Sequence, residues 1–369
     1  MKSLHLVKTS YGAVWAYRLM RDMVLLGDEV HVALPGEGPM VRLYAEAGVK
    51  VHKLDYSLTR IFSSIAGLRS LVEDVSPDII HSHFVLTTMI MRLALRNDSR
   101  PHIFEVPGPL HLEHSLTAKL ELLLSCKTDY WIATCRWTYD RYRQMGVPKN
   151  RLFLTYYGGD MVDKQYRSGL LRTELGLNKD DIVVGMVAYM YAPKWYLGQR
   201  VGLKGHEDFI DAVSILEKKY PNLHSVCIGG PWNGARWYEK KIHKYAAKRC
   251  RNMHFMGDRP NVPELYQDIS VAVHPSHSEN LGGAAESLSL GVPTVATEVG
   301  GFPDIVINGQ TGLLVRPHSP EDLAIAIEAL IENREYARTL AENGRKFVSG
   351  LLDSKVTSAE VYGIYRKLF

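Results

Sequence analysis

The chain contains no apolar run of about 18 residues, the length that a membrane-spanning helix needs. Its first residues lead directly into the short apolar run 4–7, without the long apolar segment and small-residue cleavage site of a signal peptide. Low-complexity tracts are absent too, and 46% apolar with 23% charged residues is typical of a folded globular protein. We therefore expect a cytoplasmic protein and keep peripheral contact with the inner face of the membrane open.

Cysteine and net charge are also low. The spacing of the four cysteines matches neither a zinc site nor a disulfide framework, so we expect reduced, structural thiols. The formal charge of +4 comes from 44 basic and 40 acidic residues, a balance that argues against a nucleic-acid partner. A length of 369 residues exceeds one ordinary domain and suits two.

The first half of the chain alternates short apolar runs with segments of helical length. Between the first two runs, residues 13–26 are rich in helix formers and stop at Gly27, a residue suited to the left-handed position after a helix. Strand, glycine turn and helix in that order open a doubly wound unit. The predicted strands are residues 4–7, 30–34, 49–54, 78–81, 102–106, 130–133 and 152–155.

The same alternation restarts after Gly158, Gly159 and Asp160, which predicts a second parallel sheet. Its predicted strands are residues 182–188, 224–228, 254–256, 271–274, 294–296 and 312–315. Parallel sheets are covered by helices on both faces and bind ligands at the carboxyl ends of their strands. We expect α/β domains at 1–160 and 161–350 with a cleft between them, and a helix in 351–369 that packs back on the N-terminal domain through an apolar stripe.

Residues 274–293, HPSHSENLGGAAESLSLGVP, carry the most chemical information. They predict a strand end, a polar glycine loop, and a helix that begins near Gly282 or Gly283 and ends at Gly291. The free N–H groups and the positive end of that helix suit a diphosphate. Glu279 and Glu286 can accept hydrogen bonds from sugar or ribose hydroxyls. The structural alternative is that the glycines only make a tight turn.

This segment resembles the signature of the retaining glycosyltransferases of family 4, which have the GT-B fold of two Rossmann-like domains. Glu286 matches the second Glu of the signature, because Gly291 and Pro293 follow it at the family's distances. Glu279 lies seven residues before Glu286 where the family has eight, and Ser278 occupies the eighth position. Either Glu279 reaches the donor sugar through a shifted loop, or the sugar contact has changed.

A second element of the resemblance is Lys204-Gly205-His206, where the family's Lys neutralises donor phosphate. The family places an Arg at the end of the preceding strand, whereas this chain has Tyr189 and then an insertion, residues 190–203. Either Lys194 or Arg200 could replace the missing charge, although each is equally an ordinary solvated side chain.

The first half resembles the acceptor-side domain of the family. Gly12 lies where the family has a glycine loop, and His81-Ser82-His83 ends a strand, with functional and structural roles equally open. The family's next histidine is absent, since that place reads Val-Pro-Gly-Pro at 106–109. By the resemblance, His111 or His114 would supply its hydrogen bond, and Glu113 would carry proton transfer on the acceptor side.

The resemblance implies a metal-independent, retaining transfer of a hexose or N-acetylhexosamine from a nucleotide sugar to a hydroxyl of a glycan, lipid-linked saccharide or small molecule. It leaves the base open between uracil, guanine and adenine, and a UDP-sugar is our preferred expectation. The nucleotide sugar is a substrate, and no cofactor is expected. The alternatives are a sugar-nucleotide 2-epimerase and a binding protein that has lost transfer. The implied catalytic residues are Lys204, Glu279, His111, His114 and Glu113. The implied donor-binding residues are Gly12, Lys204, Ser278, Glu279, Asn280, Leu281, Gly282, Gly283 and Glu286.

Overall fold

A computed structural model of the chain describes residues 1–160, 169–195 and 198–369. The chain divides into two compact units. The first consists of Met1–Met161 together with Leu351–Phe369, and the second of Val162–Gly350. None of the helices in the described part is long and apolar enough to cross a membrane.

The first unit contains a seven-stranded, wholly parallel sheet in the order β3-β2-β1-β4-β5-β6-β7. Its strands are β1 (Lys2–Leu6), β2 (Glu29–Leu34), β3 (Lys50–Lys53), β4 (Ile79–Ser82), β5 (His102–Glu105), β6 (Asp129–Ala133) and β7 (Leu152–Leu154). Its helices are α1 (Val14–Leu25), α2 (Pro39–Glu46), α3 (Ile61–Val75), α4 (Val85–Ala94), α5 (Leu110–Glu113), α6 (Ser115–Leu123) and α7 (Arg136–Gln144).

The second unit contains a six-stranded parallel sheet in the order β10-β9-β8-β11-β12-β13. Its strands are β8 (Ile182–Val187), β9 (Leu223–Ile228), β10 (Met253–Gly257), β11 (Val271–His274), β12 (Thr294–Thr297) and β13 (Leu313–Val315). Its helices are α8 (Leu170–Leu175), α9 (His206–Leu216), α10 (Arg236–Ala247), α11 (Val262–Tyr266), α12 (Gly282–Ser289), α13 (Phe302–Ile305), α14 (Pro320–Glu332) and α15 (Arg334–Leu351).

The prediction of two doubly wound α/β units is confirmed. Each of the thirteen predicted strands forms within one or two residues of its expected bounds. Most of them are buried, and a strand buried on both faces gives a short, continuous apolar run. The shifts fall at strand starts and strand ends alike. At the starts of β2 and β6 the polar residues Glu29 and Asp129 join the ladder, and hydrophobic periodicity does not detect them.

Glycines end α1 and α12 as the sequence predicts. Gly27 follows α1 with φ +92°, and Gly291 follows α12 with φ +69°. Both values lie in the left-handed region, where a side chain is strained. Each helix therefore stops at the residue that returns the chain to its sheet.

The last helix, α16 (Ser354–Lys367), belongs to the core of the first unit. It packs along α1 and buries Val361, Ile364 and Tyr365 in the same cluster as Met20 and Met23. These three residues lie on one face because they are three and four positions apart. The first unit is thus built from two separate stretches of the chain.

Candidate functional site

The loop between β11 and α12 folds back tightly on the start of the helix. Gly282 begins α12 with φ +41°, and a Cβ atom there would lie 2.6 Å from Cδ of Glu279. A Cβ atom at Gly283 would lie 2.9 Å from the imidazole of His274. Both positions therefore require glycine, and the N-terminal turn of α12 carries no side chain at these two residues.

Lys204 and Glu279 form an ion pair across this loop. Their side chains are 18% and 13% exposed, so the charges are largely shielded from bulk water. Glu279 also accepts a hydrogen bond from the backbone N–H of Asn280 through Oε1, at 3.0 Å. The pair thus joins the phosphate-binding Lys and the sugar-binding Glu that the resemblance implies.

A close backbone contact brings these two residues together although they are far apart in sequence. Gly205 has φ +72°, and a Cβ atom there would lie 1.9 Å from the carbonyl oxygen of Pro275. The backbone N–H of His277 donates to the carbonyl oxygen of Leu203 at 2.8 Å. The Lys204–Gly205 turn therefore lies directly against the β11–α12 loop.

The other residues implied for the donor divide between the two units. Ser278, Asn280 and Leu281 are buried in the β11–α12 loop, and Glu286 lies exposed on α12. The structure thus gathers the loop residues, Lys204 and α12 within the second unit. Gly12, with φ +77°, is exposed just before α1 in the first unit, where a Cβ atom would meet nothing within 4 Å.

An aromatic group lies next to Lys204, and the sequence reasoning missed it. The Lys204 ammonium is 5.5 Å from the ring centroid of Tyr191, which stacks on Trp232 at 5.1 Å. Tyr189 contacts Trp232 at 5.2 Å, and these two rings are 46% and 40% exposed. Burial raises the pKa of Tyr191 to about 12, with a further contribution from Glu279, so its hydroxyl stays protonated at neutral pH.

Two buried histidines flank the same loop and remain uncharged at neutral pH. Burial lowers the pKa of His274 to about 3 and that of His206 to about 4, and the Lys204 ammonium lowers both further. His274 shares a hydrogen bond of 2.9 Å with the hydroxyl of Ser287 on α12. It therefore holds the helix against β11 without adding a charge.

The acceptor-side candidates lie together on α5 and at the start of α6. Nε2 of His111 is 3.2 Å from the hydroxyl of Tyr142, which donates to Glu121 at 3.0 Å. Burial lowers the pKa of His111. His114 is half-buried at the first turn of α6, and Glu113 is exposed. His111 is thus tied into the core, whereas Glu113 reaches solvent.

The core that holds His111 contains a fully buried charge network. Arg92 contacts the carboxylate of Glu121 at 2.6 Å and that of Asp129 at 2.8 Å. Trp131 donates to Glu121 at 3.1 Å. Trp131 and Tyr142 are therefore core side chains.

His81 and His83 belong to a buried hydrogen-bonded chain that favours a structural role. Nε2 of His81 and Nδ1 of His83 lie 3.3 and 3.0 Å from Oε2 of Glu105. Nδ1 of His5 is 2.9 Å from Nε2 of His83, and the Tyr365 hydroxyl is 2.5 Å from Nδ1 of His81. A single set of neutral tautomers, with His81 and His83 donating to Glu105, satisfies all four contacts.

The pKa values agree with that assignment. Burial opposes the ionisation of Glu105, but hydrogen bonds from His81 and His83 outweigh it and lower the pKa to about 2. Burial lowers the pKa of His81 to about 4 and that of His5 well below its usual range. At neutral pH Glu105 is therefore ionised, whereas His5 and His81 are uncharged.

Comparison with known proteins assigns the class of the chain. The model of "Glycosyl transferases group 1" matches residues 195–347, and that of "Glycosyltransferase Family 4" matches residues 12–161. The structure of HepE from Anabaena in complex with UDP and glucose is similar with a TM-score of 0.82, 19% identity and 99% coverage of each chain. The fold is therefore that of the GT-B glycosyltransferases.

Two curated relatives extend over most of the chain. Glycosyltransferase MJ1178 of Methanocaldococcus jannaschii, itself uncharacterized, is 28% identical over 76% of this chain and 72% of its own length. The D-inositol 3-phosphate glycosyltransferase of Corynebacterium urealyticum is 25% identical over 88% of this chain and 78% of its own length. The chain belongs to the GT-B glycosyltransferases with family 4 and group 1 domains.

Proposed function

We propose that the chain transfers a hexose or N-acetylhexosamine from a UDP-sugar to an acceptor hydroxyl, with retention of anomeric configuration and without a metal ion in the transfer step. The observation that carries the proposal is Lys204 held beside the glycine start of α12. A cation and a bare helix N-terminus next to each other suit a diphosphate. HepE, which has the same fold, has been crystallised with UDP and glucose.

The transfer step needs stabilisation of the leaving group more than a protein nucleophile. Negative charge grows on the departing nucleotide phosphate as the sugar develops oxocarbenium character. Lys204 and the N–H groups at the start of α12 supply fixed positive charge where that negative charge appears. In this mechanism the leaving phosphate oxygen assists deprotonation of the acceptor on the same face, which gives retention.

Donor binding changes the partner of Lys204. In the structure its ammonium is neutralised by Glu279. A diphosphate at the start of α12 competes for that ammonium, and Glu279 is then released to accept hydrogen bonds from the hexose hydroxyls. Glu286, exposed on the same helix, is proposed to bind the ribose. Binding thus exchanges an internal ion pair for two contacts with the donor.

For the acceptor side we propose His114 and Glu113 ahead of His111, because Glu113 is exposed and His114 half-buried, whereas His111 is tied to the buried Tyr142. The variants His114→Gln and Glu113→Gln are expected to lower kcat in transfer to an acceptor while leaving donor binding unchanged. His111→Gln is expected to lower the melting temperature instead. Wild-type turnover in all three variants would remove α5 and α6 from the mechanism.

The first experiment is thermal stabilisation of the purified protein by UDP, GDP, ADP and their common sugar conjugates. We expect a selective shift with UDP and UDP-hexoses that is lost in Lys204→Ala and Glu286→Ala. Lys219→Ala, which removes an exposed lysine of the same unit, is the matched control and should keep the shift. No shift with any nucleotide at millimolar concentration would refute a donor site.

Product analysis separates transfer from the two alternatives. NMR of the products should show an α-linked glycoside from an α-linked donor, formed only when an acceptor is present. Interconversion of the nucleotide sugar without an acceptor would instead identify a 2-epimerase. Tight donor binding with neither reaction, across glycan, lipid-linked and small-molecule acceptors, would identify a binding protein that has lost transfer.

We also propose that α6 touches an anionic membrane when the acceptor is lipid-linked. Leu116, Leu120 and Leu123 lie on one face of α6 and are 78%, 44% and 79% exposed, with Lys119 exposed beside them. An apolar face flanked by basic charge suits the surface of an anionic bilayer.

Cosedimentation with vesicles tests the membrane contact. Wild-type protein should bind phosphatidylglycerol vesicles more than phosphatidylcholine vesicles, and Leu116→Ser/Leu123→Ser should reduce binding. Ile325→Ser, which changes a 65%-exposed residue of α14, is the control and should bind as wild type does. Equal binding by the α6 double variant would refute the proposal.

A further inference from the structure

Two histidines and one aspartate meet at the carboxyl edge of the second sheet. Asp208 lies in the first turn of α9, His277 follows β11, and His318 follows β13. One ligand atom from each residue lies within 4.8 Å of the other two. The topology therefore brings three metal-ligating side chains together from three separate parts of the chain.

The local geometry keeps the cluster closed on one side and open on the other. Nε2 of His277 is 2.8 Å from Oδ2 of Asp208, and these side chains are 9% and 15% exposed. The ring of His318 lies over that of His277, with 3.8 Å between centroids, and His318 is exposed. A metal ion could enter past the exposed His318 and reach His277 and Asp208, whose side chains already lie in contact.

The backbone at His318 is strained. His318 has φ +58°, the left-handed conformation that a non-glycine residue adopts at a cost of about 1 kcal/mol or more. In this conformation its imidazole contacts His277. Strained residues of this kind cluster at active sites and ligand-binding positions.

We propose that Asp208, His277 and His318 bind a divalent transition-metal ion of the zinc class. Two imidazole nitrogens and one carboxylate oxygen are the ligands that Zn²⁺ and its neighbours prefer, whereas Mg²⁺ and Ca²⁺ prefer oxygen. In a tetrahedral site, metal–ligand distances near 2.0–2.1 Å place ligand atoms about 3.3 Å apart. The proposal requires the exposed His318 side chain to rotate so that its nitrogen comes into that range, with a water as the fourth ligand.

The ion would brace the donor loop. His277 immediately precedes Ser278, and its backbone N–H already binds Leu203. A metal bond would tie the β11–α12 loop to α9 and to the segment before α14. The site is distinct from the proposed transfer step, for which Lys204 and α12 provide the positive charge, so its test does not depend on the proposed function.

The test is metal binding by the full chain after removal of any affinity tag and treatment with EDTA. We expect one Co²⁺ per chain, seen as a visible absorption band, and displacement of that band by Zn²⁺. His277→Ala and His318→Ala should each weaken binding at least about tenfold. His243→Ala removes an exposed histidine of α10 outside the cluster and should bind as wild type does.

Circular dichroism of each variant verifies folding, so a loss of metal binding cannot reflect unfolding. No stoichiometric Co²⁺ or Zn²⁺ binding at about 100 µM metal, a concentration at least roughly a thousandfold above the Kd of structural zinc sites, would overturn the proposal. Undiminished binding in His318→Ala would overturn it equally, because the ion would then lie elsewhere. A nucleotide-induced thermal shift that persists in these variants would show that the donor site is intact.

Discussion

The ammonium group of Lys204 is paired with the carboxylate of Glu279, which lies 75 residues later in the chain. Both residues follow strands of the second sheet, and the contact between Gly205 and Pro275 brings their backbones together. The pair therefore depends on two separate conditions: the charge of each side chain and the close approach of two loops.

The charge condition is tested at Lys204 and Glu279. Lys204→Ala should lower kcat by about 10²–10³, because the leaving phosphate loses the fixed ammonium group that stabilises its negative charge. Glu279→Gln keeps the hydrogen-bonding shape but removes the charge, so it should change KM and hexose selectivity more than kcat. Steady-state kinetics with the best donor measures both effects. A normal kcat for Lys204→Ala would exclude it from leaving-group stabilisation.

The backbone condition is tested at Gly205. Gly205→Ala should destabilise the second unit and abolish the nucleotide-induced thermal shift, since its Cβ atom cannot fit against Pro275. Gly176→Ala is matched to it, because Gly176 also has a positive φ, +64°, but has open space around a Cβ atom. The control should cost about 1 kcal/mol of stability and keep ligand binding. Equal effects of the two variants would mean that φ alone, and not the loop contact, matters.

The buried charge network of the first unit should be intolerant of a missing partner. Arg92→Ala leaves the carboxylates of Glu121 and Asp129 buried without their cation, which should cost about 3–5 kcal/mol. Arg96→Ala, at an exposed position on the same segment, should change stability by less than about 0.5 kcal/mol. Denaturant unfolding of both variants provides the comparison. A small effect at Arg92 would mean that the two carboxylates take up protons or water instead.

Stability should fall as the pH decreases below about 6.5, the usual histidine pKa. The pKa of His81 is lowered to about 4 and that of His274 to about 3, so the unfolded chain binds protons that the folded chain excludes. Each such group contributes a slope of up to about 1.4 kcal/mol per pH unit, and for His81 the loss is complete near pH 4. Glu105, with its pKa lowered to about 2, adds a loss between about pH 4.5 and 2.

Melting temperatures at pH 7.5, 6.0 and 5.0 measure this dependence. His274→Gln should flatten the profile of the second unit, since glutamine can still bond to Ser287 but does not titrate. A melting temperature that stays constant from pH 7.5 to 5.0 would contradict the low pKa values of the buried histidines.

The sequence predicts the fold well because each strand and each helix end is indicated by residues within the segment that forms it. Each buried parallel strand gives its own apolar run, and Gly27 and Gly291 end their helices by backbone conformation alone. The donor segment is also continuous in sequence, so the start of α12 at Gly282 and the glycine requirement there could be anticipated.

Contacts between distant segments could not be predicted in the same way. Nothing in the sequence near Tyr191 indicates that its ring lies beside Lys204 or stacks on Trp232. His318 and His277 are likewise 41 positions apart, and only the order of β11, β12 and β13 brings them together. Such partners depend on strand order, which hydrophobic periodicity does not encode.

The two-part construction of the first unit also has a consequence for synthesis on the ribosome. The seven strands of its sheet emerge first, but Val361, Ile364 and Tyr365, which complete its core, emerge only after the whole of the second unit. Domains usually fold in the order in which they are made. Until α16 is made, the apolar surface of α1 and the imidazole of His81 lack the contacts that α16 provides. The first unit therefore begins to form before the second unit is made but can complete its core only after it.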